Sequence, residues 1–115
     1  MFKSPLQGFD YRSVDDIINE GVDMVYDYNN HMNEGGEFWG TWLYEKSRVY
    51  ISPDIIEKKV EDITIVHEWL HAYETIILET QFSDSQIDWW AHFHLRKHRT
   101  LADYIRGFFP EFEIR

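Results

Sequence analysis

Five consecutive residues, His67-Glu68-Trp69-Leu70-His71, read H-E-x-x-H. On a helix, two histidines four apart lie one above the other, so both imidazoles can reach one metal ion. The glutamate between them is turned about 100° from that face. From there it can reach a zinc-bound water without being a ligand and serve as general base. The chemistry this spacing implies is hydrolysis by a zinc-activated water. Such a match arises by chance about 0.03 times in a chain of this composition, so its context matters. Ile63, Val66, Leu70, Tyr73, Ile76 and Ile77 recur at helical spacing around it, while His67, His71, Glu74 and Leu78 form a separate stripe. Glu74 and Glu79 are explained by solvation or a salt bridge, although Glu74 could also help to orient a ligand.

A catalytic zinc takes three protein ligands and keeps one position open. The metzincin continuation of the motif would place histidine at 77, where this chain has Ile77. The third ligand is therefore expected on the next helix, where Asp84, Asp88, His92, His94 and His98 are the candidates. His92 is preferred: it follows His71 by enough residues for a turn and an antiparallel return. Asp88, four residues earlier on the same face, would then accept a hydrogen bond from a zinc-bound imidazole. The reverse assignment, Asp88 on zinc, stays open. His94 and His98 share another face and read as partly exposed histidines.

The elements that must position these groups follow from caps and periodicity. Ser13 looks like the N-cap of a helix whose apolar period runs from Val14 through Val25 to Tyr28, with His31 near its end. Glu37 to Tyr44 and Arg48 to Ile51 read as a strand hairpin, its aromatics Phe38, Trp39, Trp42 and Tyr44 shared between core and cleft rim, at least half of them in the core. Ser52-Pro53 signals a new helix, with a break near Lys58-Lys59, that carries the motif to about Thr80. Ser83 to Gln86 forms a capping box for the following helix. Thr100 opens a short last helix that Gly107 closes. The order is an α+β arrangement with few strands. Residues 1–107 form one domain, and residues 108–115 are an aromatic, acidic tail.

Composition narrows the partners. The net charge of −10 argues against nucleic acid and against anionic membranes. Without cysteine there is neither a disulfide framework nor a thiolate zinc site. No signal peptide and no membrane-length apolar run is evident, which points to the cytoplasm.

With H-E-x-x-H at 67–71 followed by Asp88-x-x-Ala91-His92 in so short a chain, the sequence resembles the minigluzincins, minimal soluble zinc metallopeptidases of the gluzincin group. Gluzincins place a glutamate ligand in an E-x-x-A-D pattern on the helix after the active-site helix; here that stretch reads Asp88-Trp89-Trp90-Ala91-His92, and the resemblance favours His92. It implies a zincin-like fold, a zinc endopeptidase acting on peptide or protein substrates, and a C-terminal segment that keeps the enzyme latent. On that reading Phe108, Phe109, Glu111, Phe112, Glu113 and Ile114 lie against or across the cleft or reach a neighbour to form a homodimer; the alternative is a tail that merely caps the core. Tyr73, Tyr104 or His94 would donate to the oxyanion. Two other readings compete: an inactive zincin-fold binding or regulatory module, and a zinc hydrolase with another substrate.

Overall fold

The structure, a computed structural model, describes residues 4–29 and 39–113, without the Glu113 side chain. The positions expected for His31, Glu37, Phe38 and Ile114 lie outside these residues. A 3-10 turn at Pro5–Gly8 leads into α1 (Tyr11–Asn19). The cap of α1 is Asp10, whose Oδ1 accepts from the Arg12 and Ser13 amides at 3.0 and 3.2 Å, while Ser13 Oγ accepts from the Asp10 amide at 3.0 Å. Ser13, expected as the cap, is thus its reciprocal partner three residues on. Val14 and Ile17 face the core.

The helix does not continue to Tyr28. It ends at Gly21, whose φ of +92° suits glycine alone at low cost. The next residues form strand β1 (Asp23–Tyr26), with Met24 and Tyr26 buried and their neighbours half-buried. β2 (Gly40–Leu43) and β3 (Arg48–Ile51) form the expected antiparallel pair, joined through Tyr44–Lys46 and a left-handed Ser47. The sheet order is β1-β3-β2, with β1 parallel to β3. Arg48 and Asp23, opposite in register, form a two-pronged ion pair at 2.8 and 3.1 Å. Among the described residues β2 is therefore an edge strand.

Ser52-Pro53 is a turn, with Ser52 Oγ accepting from the Asp54 amide, and the motif helix α2 (Lys58–Ala72) starts later. Its residues Ile65, Val66, Trp69, Leu70 and Ala72 are buried, and it packs against β2, β3, α3 (Asp84–Lys97) and α4 (Leu101–Arg106). A π-helical turn, Tyr73–Ile77, extends it, and Glu79 at φ 52° ends it. Ser83 and Gln86 cap α3 reciprocally, as expected. The result is a mixed α+β domain with a three-stranded sheet on one side of α2 and helices on the other.

Two buried polar groups fix the periphery. Arg106, at 7% exposure, joins Glu61, Asp62 and Asp103, and Tyr26 donates to Glu61. The tail forms α5 (Pro110–Glu113) beside β1: Phe112 stacks on Tyr26, Phe109 packs on Trp69, and Glu111 Oε1 accepts from the Tyr26 amide at 2.9 Å. Among the described residues the tail caps the core and covers the β1 edge, which is the edge away from β2. For Phe109, Glu111 and Phe112 this is the core-capping alternative, not a path across the cleft.

His94 ties α3 to the N-terminal segment. Its Nε2–H donates to the Leu6 carbonyl at 2.7 Å, and its buried Nδ1 has no partner among the described residues. Burial pushes this imidazole below the ordinary histidine value. A histidine whose folded pKa is lowered contributes stability in full above about pH 6.5, and loses it as pH falls. Urea unfolding of the metal-free protein should therefore show a midpoint that drops between pH 7.5 and 5.5. His94→Gln, which keeps a donor but cannot titrate, should flatten that dependence; an unchanged slope in the variant would refute the assignment.

Candidate metal centre

The motif histidines emerge from the last two turns of α2, and α3 returns antiparallel beside them. His71 Nε2 lies 3.2 Å from Asp84 Oδ1, and His67 Nδ1 lies 3.4 Å from Asp88 Oδ1. Potential ligand atoms of His67, His71 and Asp84 fall within 4.8 Å of one another, a group that could hold a metal ion. Zinc bonds of about 2.0–2.1 Å in tetrahedral geometry separate neighbouring ligand atoms by about 3.3 Å. The His71–Asp84 distance already matches this.

The protonation pattern points the same way. Glu74 Oε2 is 2.7 Å from His71 Nδ1, and this carboxylate is 4% exposed. Glu74 can only accept there, so Nδ1 carries the hydrogen. In a neutral His71 the Nε2 then offers a lone pair toward the Asp84 carboxylate. Two acceptors at 3.2 Å need a proton or a metal cation between them. The other Glu74 oxygen accepts from the Phe82 amide at 2.6 Å, which pins the loop that delivers Asp84. Glu74 thus orients the His71 ring instead of being solvated. His67 is also half-buried; burial pushes its imidazole down, and neighbouring His71 adds to the effect.

His92 stands apart. It is 54% exposed, with Nδ1 2.9 Å from the Asp88 carbonyl oxygen, and it does not join the group. The structure brings Asp84 to the pair in its place, while Asp88 occupies the position expected of a carboxylate behind an imidazole. The signal for Asp84 was its placement at the start of α3, the end nearest His71 in an antiparallel pair.

Glu68 is buried beside these groups and forms part of the wall of two hollows that flank His67. One, of about 210 Å3, is lined by Trp39, Gly40, Val60, Ile63 and Thr64. The other, of about 420 Å3, holds His71, Glu74, Asp84, Thr41, Trp42 and Tyr44. The β2 edge overhangs both. Of its described aromatics Trp42 packs against the core, while Trp39 and Tyr44 are exposed at the rim. None of the expected oxyanion donors lines either hollow: Tyr73 packs on Phe9, Tyr104 donates to Asp15, and His94 is held by Leu6. Tyr44 is the tyrosine that does, among the described residues.

Gly40 sets how closely β2 approaches the motif. A Cβ there would lie 2.7 Å from Thr64 Cγ2, 3.0 Å from Glu68 Cγ and 3.2 Å from the Tyr50 carbonyl oxygen. Comparison of the chain with known protein families, curated proteins and solved structures finds no match.

Two outcomes follow from this geometry. Gly40→Ala should cost about 1–3 kcal/mol in chemical denaturation through overpacking. Adding Thr64→Ser, which removes the nearest methyl, should recover part of the loss; a neutral Gly40→Ala would show that β2 does not press on Glu68. In competition titrations with a chelator, Asp84→Ala should weaken zinc binding by more than about 100-fold, while His92→Ala leaves it within about twofold. The opposite ranking would return the third position to His92.

Proposed function

We propose that this protein is a zinc-dependent peptidase, a minimal zincin-like domain of the gluzincin type. The observation that carries the reading is the placement of Glu68. It is buried in the shared wall of both hollows, next to three candidate ligands, and is not itself one of them. A purely structural metal site has no use for a carboxylate so placed, and it closes its fourth position with protein.

Two imidazoles and a carboxylate, with no thiolate in the chain, suit zinc. Held by His67, His71 and Asp84, the ion would supply Lewis acidity toward water and toward a peptide carbonyl. The protein's own groups would do the rest. Glu74 fixes the His71 ring through Nδ1–H, and Asp88 stands in the same relation to His67. The Glu68 carboxylate takes a proton from the attacking water and returns it to the nitrogen of the leaving amine. The edge of β2, unpaired among the described residues, offers backbone groups to an extended substrate, which favours a peptide over other hydrolysable classes. Tyr44 is the candidate to donate to the carbonyl oxygen as charge develops there.

Glu68→Gln tests this directly. The variant should retain about one zinc per chain by elemental analysis and lose peptide cleavage by about 100-fold or more. Cleavage at the parent rate in a zinc-loaded Glu68→Gln protein would remove Glu68 from the mechanism.

A further inference from the structure

The pairing of α2 with α3 continues beyond the metal group. Asp84 meets His71, and Asp88 meets His67 one turn back along α2. Continued by the same step, the pairing brings His92 and Arg96 to the stretch of α2 that carries Ile63 and Lys59, and all four line one groove. A groove of about 770 Å3 opens there, and it gathers Lys59, Arg96, Arg99 and His92 around Ile63 and Leu95. Val60 and Ile63 line both this groove and the hollow beside Glu68, so one apolar floor runs under the two.

Its charge is unusual for this molecule. The chain carries 21 acidic and 11 basic residues, yet three cations converge on one groove. Lys59, Arg96 and Arg99 are exposed, and among the described residues no ion pair holds them. Asp62, the acid at the rim, is turned to Arg106 and Lys58. Arg96 in the last turn of α3 complements the helix dipole, but Lys59 in the first turn of α2 opposes it. Helix ends alone therefore do not account for the cluster.

We propose that this groove receives acidic side chains of a peptide substrate on the C-terminal side of the cleaved bond. The proposal rests on the peptidase reading above. A peptide that adds to β2 in the more stable antiparallel sense runs opposite to it. Its C-terminal half then lies toward Trp39 and Gly40, at the hollow that leads to the groove, and its N-terminal half toward Trp42 and Tyr44. From His67 back to Lys59 is about 12 Å along the helix. That is the span of three to four residues of extended chain. Glutamate or aspartate at the third or fourth residue beyond the cleaved bond would meet the cations. A polyanion such as nucleic acid fits poorly, because the rest of the surface repels it.

The test uses the zinc-loaded full chain and two fluorogenic peptides built on a cleavage site mapped by mass spectrometry. They differ only in having Glu or Gln at the third and fourth residues after the bond. The Glu peptide should show a kcat/KM about tenfold higher at low salt, with the ratio falling toward one in 0.5 M salt. Arg96→Glu/Arg99→Glu, and separately Lys59→Glu on the other helix, should also bring the ratio to one or invert it. Circular dichroism would establish that each variant is folded. Equal rates on the two peptides, or a preference that survives both variants, would overturn the proposal. A second readout separates it from the reading it rests on: anisotropy of labelled peptides bound to zinc-loaded Glu68→Gln. An acidic preference in binding that the charge reversals abolish, with no peptide cleaved by the parent protein, would keep the groove and discard the peptidase. No binding preference, with or without cleavage, would discard the groove.

Discussion

The carboxylate of Glu74 holds the site together. It is almost fully withdrawn from water, and an unpaired charge so placed would cost several kcal/mol. Both oxygens are therefore committed, one to the His71 ring and one to the Phe82 amide. The first contact selects the His71 tautomer and aims its free nitrogen. The second fixes the chain just before Ser83, and hence where α3 begins. One side chain thus couples the orientation of a candidate ligand on α2 to the position of another on α3. The π-helical turn that carries Glu74 belongs to the same arrangement. His71 and Glu74, three residues apart, share a face of the helix, and π-helical turns such as this one occur frequently at functional sites.

Once the start of α3 is fixed, its pairing with α2 determines the rest of the face. Asp84, Asp88, His92 and Arg96 form one stripe at four-residue spacing; the first two meet His71 and His67, and the last two line one groove with Ile63 and Lys59. The sequence made that stripe visible but not its offset against α2. Placing His92 at the metal required α3 to overshoot by two turns, about 12 Å, and the loop length alone allowed it. What excludes it is the hold of Glu74 on the Phe82 amide, a contact between residues eight apart across an irregular loop. No periodicity or cap rule reports such a contact. By contrast the Ser83–Gln86 cap and the helical run around His67 are local patterns, and the structure keeps them as read.

The misread segment of the fold has a similar origin. Val22, Val25 and Tyr28 continue the helical spacing of α1, and nothing before Gly21 breaks it. The same residues also satisfy a two-residue alternation, with Met24 and Tyr26 inward. Four residues cannot separate the two periods. Pairing does: β3 presents a free edge, and the Asp23–Arg48 ion pair locks the register once the chain leaves the helix. The tail was misplaced for a related reason. Its aromatics did need cover, as their apolar character implied, but the sequence could not show that the β1 edge needed it as well. Phe112 against Tyr26 and Glu111 on the Tyr26 amide meet both needs at once.

That division of the two sheet edges bears on how so small a domain can keep a working surface. An exposed strand edge invites pairing with another chain, and natural proteins usually blunt it. Among the described residues β1 is closed by the tail, whereas β2 has a free edge beside the candidate metal centre. Gly40 lets β2 approach until Thr64 and Glu68 touch its backbone, so the strand is braced from below by the same helix that carries the histidines. A larger residue at 40 would lift the strand from the motif and separate its backbone from the Glu68 carboxylate. The free edge, the close glycine and the buried glutamate are in this sense one device. The sequence displayed only its glutamate, because the other two acquire meaning from the approach of a strand and a helix distant along the chain.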